Sequence, residues 1–297
     1  MKLRKTLLGL FTAASLLLCA GCGAASGGTS WNDTASDSGT PAEEQTFEIK
    51  TTDAIQDIID RGYLIVGCKN DVPGLGYYNE ETQAYEGGEI DLAYYLAAKI
   101  FDTSYDDAVK QQLVHFEPVQ TDNREKALQD GNVDYIIATY TITDERKEVV
   151  DFSNSYYTNS IGLMVNTNSA DNSTLREERI RSIVDLDNKY IGIISGSTTR
   201  NDFLNYIARN AIPIHPKFVT YSSYAEISEE LEAGHIDVFC VDVPILKGYL
   251  NDDRKILNDR FASQDYGIAA AKGKDGLIDA ANTVIEELQY NKIVLFS

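Results

Sequence analysis

Two stretches of this chain repeat one another, Leu128-Gln-Asp-Gly131-Asn-Val133-Asp134 and Leu231-Glu-Ala-Gly234-His-Ile236-Asp237. In each, a helix-like run ends at a glycine, one residue turns, and an apolar run opens with an aliphatic residue and an aspartate. Glycine is favoured there because the position past a helix is often left-handed. The pattern is also ordinary grammar for a short αβ connection. Here, however, it falls at the same place in two similar series.

The first series starts with a helix-like segment, Asp53 to Arg61, followed by the apolar run Tyr63 to Lys69. Turn residues Asn70 to Gly76 follow, and then a helix with Ile90, Ala93, Tyr94, Ala97 and Phe101 on one stripe. A strand at Val114–Val119, a helix over Asn123–Gln129 and a strand at Val133–Ala138 complete it. The second series runs from a strand at Tyr190–Ile194 through a helix with Phe203, Leu204 and Ile207. A strand at Pro216–Thr220 and a helix containing Ile227 and Leu231 end it. Strands alternating with helices predict an α/β protein of two lobes, each a mostly parallel sheet flanked by helices.

In open parallel sheets, ligands lie beyond the carboxyl ends of the strands. Those ends carry Lys69 and Asn70, then Thr139, Tyr140, Thr141 and Thr143. The second series contributes Ser195 to Thr199, including Ser197 and Thr198, and Asp242. A cleft between two lobes would gather them all. Within Thr139–Phe152, Thr143 reads as a helix N-cap with Asp144 and Glu145 in the first turn. Arg146 then occupies the third helical position, at the positive end of the helix dipole, where a capping box would place Glu or Gln. Either the two carboxylates neutralise it, or an anion held by Arg146, backbone N–H groups and threonine hydroxyls does. The residues alone leave both open.

The 297 residues carry a formal net charge of −20. Such acidity excludes general nucleic-acid binding, which leans on Lys and Arg. At the N-terminus, Lys2, Arg4 and Lys5 precede an apolar run from Leu7 to Leu18, too short to span a membrane. It ends in Leu18-Cys-Ala-Gly-Cys22-Gly23, which resembles a bacterial lipobox with Cys22 as the lipidated residue. Cys19 stands three before it, where Leu is usual, so cleavage by ordinary signal peptidase is the alternative. A leader over 1–21, a Gly- and Ser-rich tether over 22–46 and an extracytoplasmic domain held to the membrane by lipid are expected. Cys68 and Cys240 lie in apolar runs and read as buried small hydrophobes rather than a disulfide. Metal-ligand spacing is lacking, and no cofactor is expected.

The ordered series Gly62-Tyr-Leu-Ile-Val-Gly67, Tyr85-Glu-Gly-Gly-Glu-Ile-Asp-Leu92, Asp134 to Arg146 and Val150 to Tyr157 carries a resemblance. Ile191 to Thr198, Gly234-His-Ile-Asp237 and Tyr266-Gly-Ile268 complete it. The chain resembles the extracellular solute-binding proteins of family 3, which serve bacterial ABC importers of polar amino acids. The wording is closest to the branch for acidic amino acids, glutamine or cystine.

The resemblance implies a periplasmic-binding-protein fold of two lobes, one over 53–156 plus 267–297 and one over 161–261. Crossovers would lie near Tyr157-Thr-Asn159 and Gln264-Asp-Tyr266, with hinge closure around a ligand. It further implies a monomer working with a permease and an ATPase, not an enzyme. A dehydratase on the same fold and a ligand-sensing module for a receptor are the alternatives.

Site residues follow from the same resemblance. Arg146 would grip the ligand α-carboxylate bidentately, helped by the backbone N–H groups of Thr141 and Thr198. A glycine is frequent at the Thr198 position in relatives. Asp242 would take the α-ammonium with the Thr141 hydroxyl and the Thr139 carbonyl. On its own, Asp242 reads equally as a strand-end or N-cap carboxylate before Pro244. Lys69 and Arg124 would read the ligand side chain, the alternative for each, and more so for Arg124, being a solvated surface base. Val72, Tyr77 and Tyr78 would form an apolar wall, and Thr121 stands where some relatives have an aromatic. Glutamate or aspartate is expected first, then glutamine or cystine. The chain stops at Asn291-Lys-Ile-Val-Leu-Phe-Ser297, where relatives usually have a further helix and a lysine–tryptophan segment.

Overall fold

The computed structural model describes residues 45–168 and 179–296. The leader, Cys22 and the tether up to residue 44 lie outside the described residues.

The elements run in chain order. In the first half they are α1 (Asp53–Arg61), β1 (Leu64–Cys68), β2 (Asp71–Val72), β3 (Gly76–Asn79), β4 (Ala84–Glu86) and α2 (Gly88–Ile100). Then come α3 (Tyr105–Lys110), β5 (Val114–Pro118), α4 (Arg124–Gln129), β6 (Tyr135–Ile137) and α5 (Asp144–Lys147). A long strand, β7 (Val150–Asn166), leads into β8 (Tyr190–Ile194), α6 (Thr199–Arg209), β9 (Lys217–Tyr221) and α7 (Tyr224–Glu232). The chain ends through β10 (Val238–Asp242), α8 (Val243–Gly248), β11 (Arg254–Ile256), β12 (Phe261–Ala271) and α9 (Asp275–Tyr290).

The main sheet has the order β5-β1-β6-β12-β7-β10-β8-β9, with β11 paired to β7. Read from either end, the order is the same: second strand, first strand, third strand, crossing strand. Within each half, β1 pairs in parallel with β5 and β6, and β8 with β9 and β10. The crossing strands run antiparallel to their neighbours and to each other, with Gln264 opposite Asn159 and Asp265 opposite Thr158. The result is a two-lobed α/β molecule.

The repeated sequence pattern is the joint that sets this geometry. Gly131 and Gly234 sit at φ +71° and +73°, the left-handed turn that closes α4 and α7. Leu128 and Leu231 are buried beneath those turns. Asp134 Oδ2 then accepts the backbone N–H of Ile65 at 2.8 Å, and Asp237 Oδ2 accepts that of Tyr190 at 2.7 Å. Each aspartate thus ties the third strand of its lobe to the first. Each also pairs with a base, Asp134 with Arg61 and Asp237 with Lys189.

Four apolar clusters cover the two faces of each half-sheet. Ile55 and Ile58 of α1, Leu92 and Leu96 of α2, and Val284 and Leu288 of α9 fill one face of the first half. Leu128, Val133, Ile136 and Tyr140 fill the other. In the second half, Phe203 and Ile207 of α6 lie on one face. Ile227 and Leu231 of α7 and Ile245 and Leu246 of α8 lie on the other. The buried face of α2 is wider than the expected stripe, because α2 is covered by sheet, α3 and α9 at once. Leu92, Leu96 and Ile100 are buried, whereas Tyr94 and Phe101 are only partly so.

Several elements differ from expectation. The Asn70–Gly76 stretch is not simply a turn: in a small separate sheet Gly76–Asn79 pairs with Asp71–Val72 on one side and Ala84–Glu86 on the other. Tyr78 in it meets Tyr85 edge-on, with 5.0 Å between ring centres, and donates its hydroxyl to Gln83. Leu204, expected on the buried face of α6, is exposed. After α9, Phe296 lies against Tyr156 and Tyr157 of β7 at 5.5 and 5.0 Å between ring centres. Gly88 makes room for it, since a Cβ there would overlap the Leu295 carbonyl and the Phe296 ring. Cys68 and Cys240 are both free and buried.

Candidate functional site

The carboxyl ends of β1, β6, β8 and β10 converge where the two halves meet. Thr143 caps α5, its hydroxyl accepting the Arg146 backbone N–H at 3.2 Å, so Arg146 does hold the third helical position. Its guanidinium turns away from Asp144 and Glu145. Nη1 donates to the Thr141 carbonyl at 2.7 Å, and Nη2 crosses to the Gly196 carbonyl of the other half at 3.0 Å. The group lies 4.7 Å from the centre of the Tyr140 ring. Burial, and next the neighbouring Arg124, lower its pKa to about 10, which leaves it a cation at neutral pH.

Arg124 is the larger surprise. Expected to read the ligand side chain, with a solvated surface base as the alternative, Arg124 is only 3% exposed. Its Nε donates to the Thr121 carbonyl at 2.9 Å, and Nη1 donates to the Ala138 and Thr139 carbonyls at 3.0 and 3.2 Å. It too packs on Tyr140, 4.2 Å from the ring centre. Two guanidiniums on one aromatic ring concentrate positive charge at a site that desolvates both. Tyr140 is anchored from below by its hydroxyl, which donates to Glu125 at 2.8 Å.

Lys69 is likewise buried rather than solvated. Its ammonium lies 3.2 Å from Asp71 Oδ1 and 5.2 Å from the centre of the Tyr224 ring. Burial lowers its pKa, and Asp71 works against that shift. Val72 packs into the apolar cluster of the second half with Leu75, Met164 and Ile245. It therefore joins the halves to each other.

The acidic side of the site is Asp242. It stands at the cap position of α8, but its carboxylate caps nothing there. Instead it accepts the hydroxyl of Tyr266. Burial pushes its pKa up to about 6 against the pull of that hydrogen bond. Asp202 adds to the rise, while Arg124 and Arg146 oppose it. Glu89 of α2 is buried nearby. Its Oε1 accepts the Thr139 N–H and the Tyr156 hydroxyl, both at 2.6 Å, while Oε2 has no partner. Burial raises its pKa. Thr139 is held at φ +47° between Glu89 on its N–H and Arg124 on its carbonyl.

The small polar residues have defined partners. Ser197 donates its hydroxyl to the Ile194 carbonyl at 2.9 Å, within its own loop. Thr198 precedes α6 with no side-chain cap. The hydroxyls of Thr141 and Thr198, from opposite halves, both donate to Oε1 of Gln264, at 2.8 and 3.1 Å. Beside these groups runs an open groove of about 520 Å³, lined by Thr121, Asp122, Arg146, Gly196, Thr198 and Asp202.

Buried cations and a buried carboxylate thus gather where the two α/β lobes meet. The chain belongs to the bacterial extracellular solute-binding proteins, family 3, whose profile matches residues 64–293. It is 31% identical to a glutamine-binding protein of Geobacillus stearothermophilus over 269 residues, covering 89% of this chain and 91% of the other. A glutamate-binding protein of Corynebacterium efficiens is 28% identical over 244 residues, covering 80% and 77%. Among solved structures, an ancestral arginine-binding protein bound to arginine matches with a TM-score of 0.64. That structure is 30% identical, and the match covers 78% of this chain and 94% of the other. The fold is the two-lobed periplasmic-binding-protein fold. Among the described residues, no helix is long and apolar enough to cross a membrane.

Proposed function

We propose that the protein is a lipid-anchored, extracytoplasmic substrate-binding protein of an amino-acid ABC importer. It captures a polar amino acid between lobes formed by 53–156 plus 267–297 and by 161–261. Arg146 pairs with the α-carboxylate, with the backbone N–H groups of Thr141 and Thr198 as further donors. Asp242 takes the α-ammonium with the Thr141 hydroxyl and Thr139 carbonyl. The observation that carries this reading is that Arg146 and Asp242, a buried cation and a buried anion from opposite halves, lie near enough to act on one another electrostatically. Those are the two charges an α-amino acid needs to meet.

Arg124 and Lys69 bias the remaining end of the ligand. Two buried cations would repel a basic side chain and suit a carboxylate or carboxamide. Glutamate or aspartate is therefore the preferred substrate, followed by glutamine or cystine. Calorimetry of the full-length chain against the twenty amino acids and cystine tests this; no heat from any of them, with the protein folded, would refute it. Lys69→Ala is expected to shift acidic against amide ligands by about tenfold while leaving the requirement for an α-amino acid intact.

Closure of the two lobes about the paired segments at Tyr157–Asn159 and Gln264–Tyr266 completes the reading. Gly196 gives it a test. It stands at φ +72°, and a Cβ there would lie 2.7–2.9 Å from the backbone and Cβ of Asp122 in the facing lobe. Gly196→Ala should weaken binding of the preferred amino acid by about tenfold or more while lowering thermal stability only slightly. Unchanged affinity would show that the lobes do not need this approach.

A further inference from the structure

Gln264 is not among the ligand contacts proposed above, yet its side chain joins groups from both halves. It is 2% exposed and lies on β12, in register with Asn159 of β7. Oε1 accepts the hydroxyls of Thr141 from one half and Thr198 from the other. Nε2 donates to Asp202 Oδ2 at 3.1 Å. The orientation of the amide follows from those partners: a carboxylate can only accept, so the NH₂ must face Asp202 and the carbonyl oxygen must face the two hydroxyls. The backbone fixes the side chain in turn. Asn159 Nδ2 donates to the Gln264 carbonyl at 3.2 Å, and Ile142 N–H donates to the Asp265 carbonyl at 2.8 Å.

A threonine hydroxyl has one hydrogen and two lone pairs. Because Gln264 takes the hydrogens of both Thr141 and Thr198, each hydroxyl can present only lone pairs to anything else in the cleft. We infer that Gln264 is a positioning residue that sets the polarity of the Thr141 hydroxyl, making it an obligatory acceptor and so a selector for an ammonium group. Without Gln264, the same hydroxyl could rotate and donate to a carboxylate or carbonyl in the ammonium's place. Asp202 sets the amide, the amide sets the hydroxyls, and the hydroxyls read charge. The inference rests on the proposed amino-acid reading of the site and names the residue that enforces its α-ammonium requirement.

The experiment compares ligands with and without that ammonium. Purified full-length protein is titrated with L-glutamate and L-glutamine, and with their desamino counterparts, glutarate and glutaramate. For Gln264→Met, which keeps length but neither accepts nor donates strongly, the affinity for the amino acids should fall about tenfold. That for the desamino acids should change less than about threefold, so the preference narrows. Thr141→Val should narrow it to the same extent, and the double variant should narrow it no further, because the two residues act as one unit. If Gln264→Met does not fold, Thr141→Val against Thr141→Ser carries the test: only the serine should keep the preference. Equal losses for amino and desamino acids in Gln264→Met, or an unchanged preference in Thr141→Val, would overturn the inference. Failure of the unmodified protein to bind either amino acid would instead remove the reading of the site on which it stands.

Discussion

Arg146→Ala is expected to reduce affinity for every α-amino acid by about a hundredfold or more, whatever the side chain. Truncating one member of a buried, hydrogen-bonded charge pair costs about 2–5 kcal/mol, because the partner charge is left without compensation. The loss should be uniform across ligands, since the α-carboxylate is common to all. Two other effects accompany it. The carbonyls of Thr141 and Gly196 lose their donor, and Tyr140 keeps only one guanidinium on its ring. Arg146→Lys keeps the charge but loses the two-pronged geometry, and should fall between the wild type and alanine. Titration calorimetry with a thermal melt as folding control measures all three. Normal binding by Arg146→Ala would show that the carboxylate lies elsewhere.

The second large effect concerns Asp242 and is a dependence on pH. Burial holds its pKa up at about 6, against an ordinary value of 3.8. An ammonium ligand needs the ionised form. Affinity should therefore be flat above about pH 6 and fall below it, approaching tenfold per pH unit, with protons released on binding in that range. The stability of the chain without added amino acid has the opposite sign. The folded form holds the Asp242 proton more tightly than the unfolded form does, so this group's contribution declines as pH rises from about 4 to about 6, then levels off. Asp242→Asn should abolish the pH dependence of binding together with most of the affinity. It should leave the protein, near neutral pH, more stable by on the order of 1–3 kcal/mol. Calorimetry in buffers of different ionisation enthalpy counts the protons. A variant that kept both affinity and pH dependence would remove Asp242 from the site.

What the sequence disclosed and what it concealed divide along physical lines. Helix α1, the N-cap at Thr143 and the two left-handed glycines were legible because each depends on neighbours within one turn. The paired aspartates Asp134 and Asp237 were legible as a pattern, though not as the backbone acceptors they are. Arg124 reads from the sequence as a contact to the ligand side chain or as a solvated surface base; its burial comes from Tyr140 and from carbonyls fourteen and fifteen residues away, which its charged neighbours do not disclose. The strands of the small sheet are two to four residues long, too short for alternation to show. Strand β7 was recognised only at its crossing point. Along Asp151–Ser160 it is mostly half-buried, without the clean alternation of a one-sided sheet. Glu89 and Gln264 sit in polar surroundings in the sequence, and their burial results from long-range packing alone.

The palindromic strand order has a bearing on how the chain folds. The second core, from Ile161 to Phe261, is built from one continuous stretch. The first is not: α9 supplies Leu277, Ala280, Ala281, Val284, Ile285 and Leu288 to a core whose other members largely precede residue 138. Strand β12 must also insert between β6 and β7 before the two half-sheets become one. A partly synthesised or partly refolded chain can thus close its second core on local contacts while the first waits for residues near the opposite terminus. Refolding should then be biphasic, with the slower phase sensitive to substitutions in α9 and β12 and the faster one to substitutions in α6.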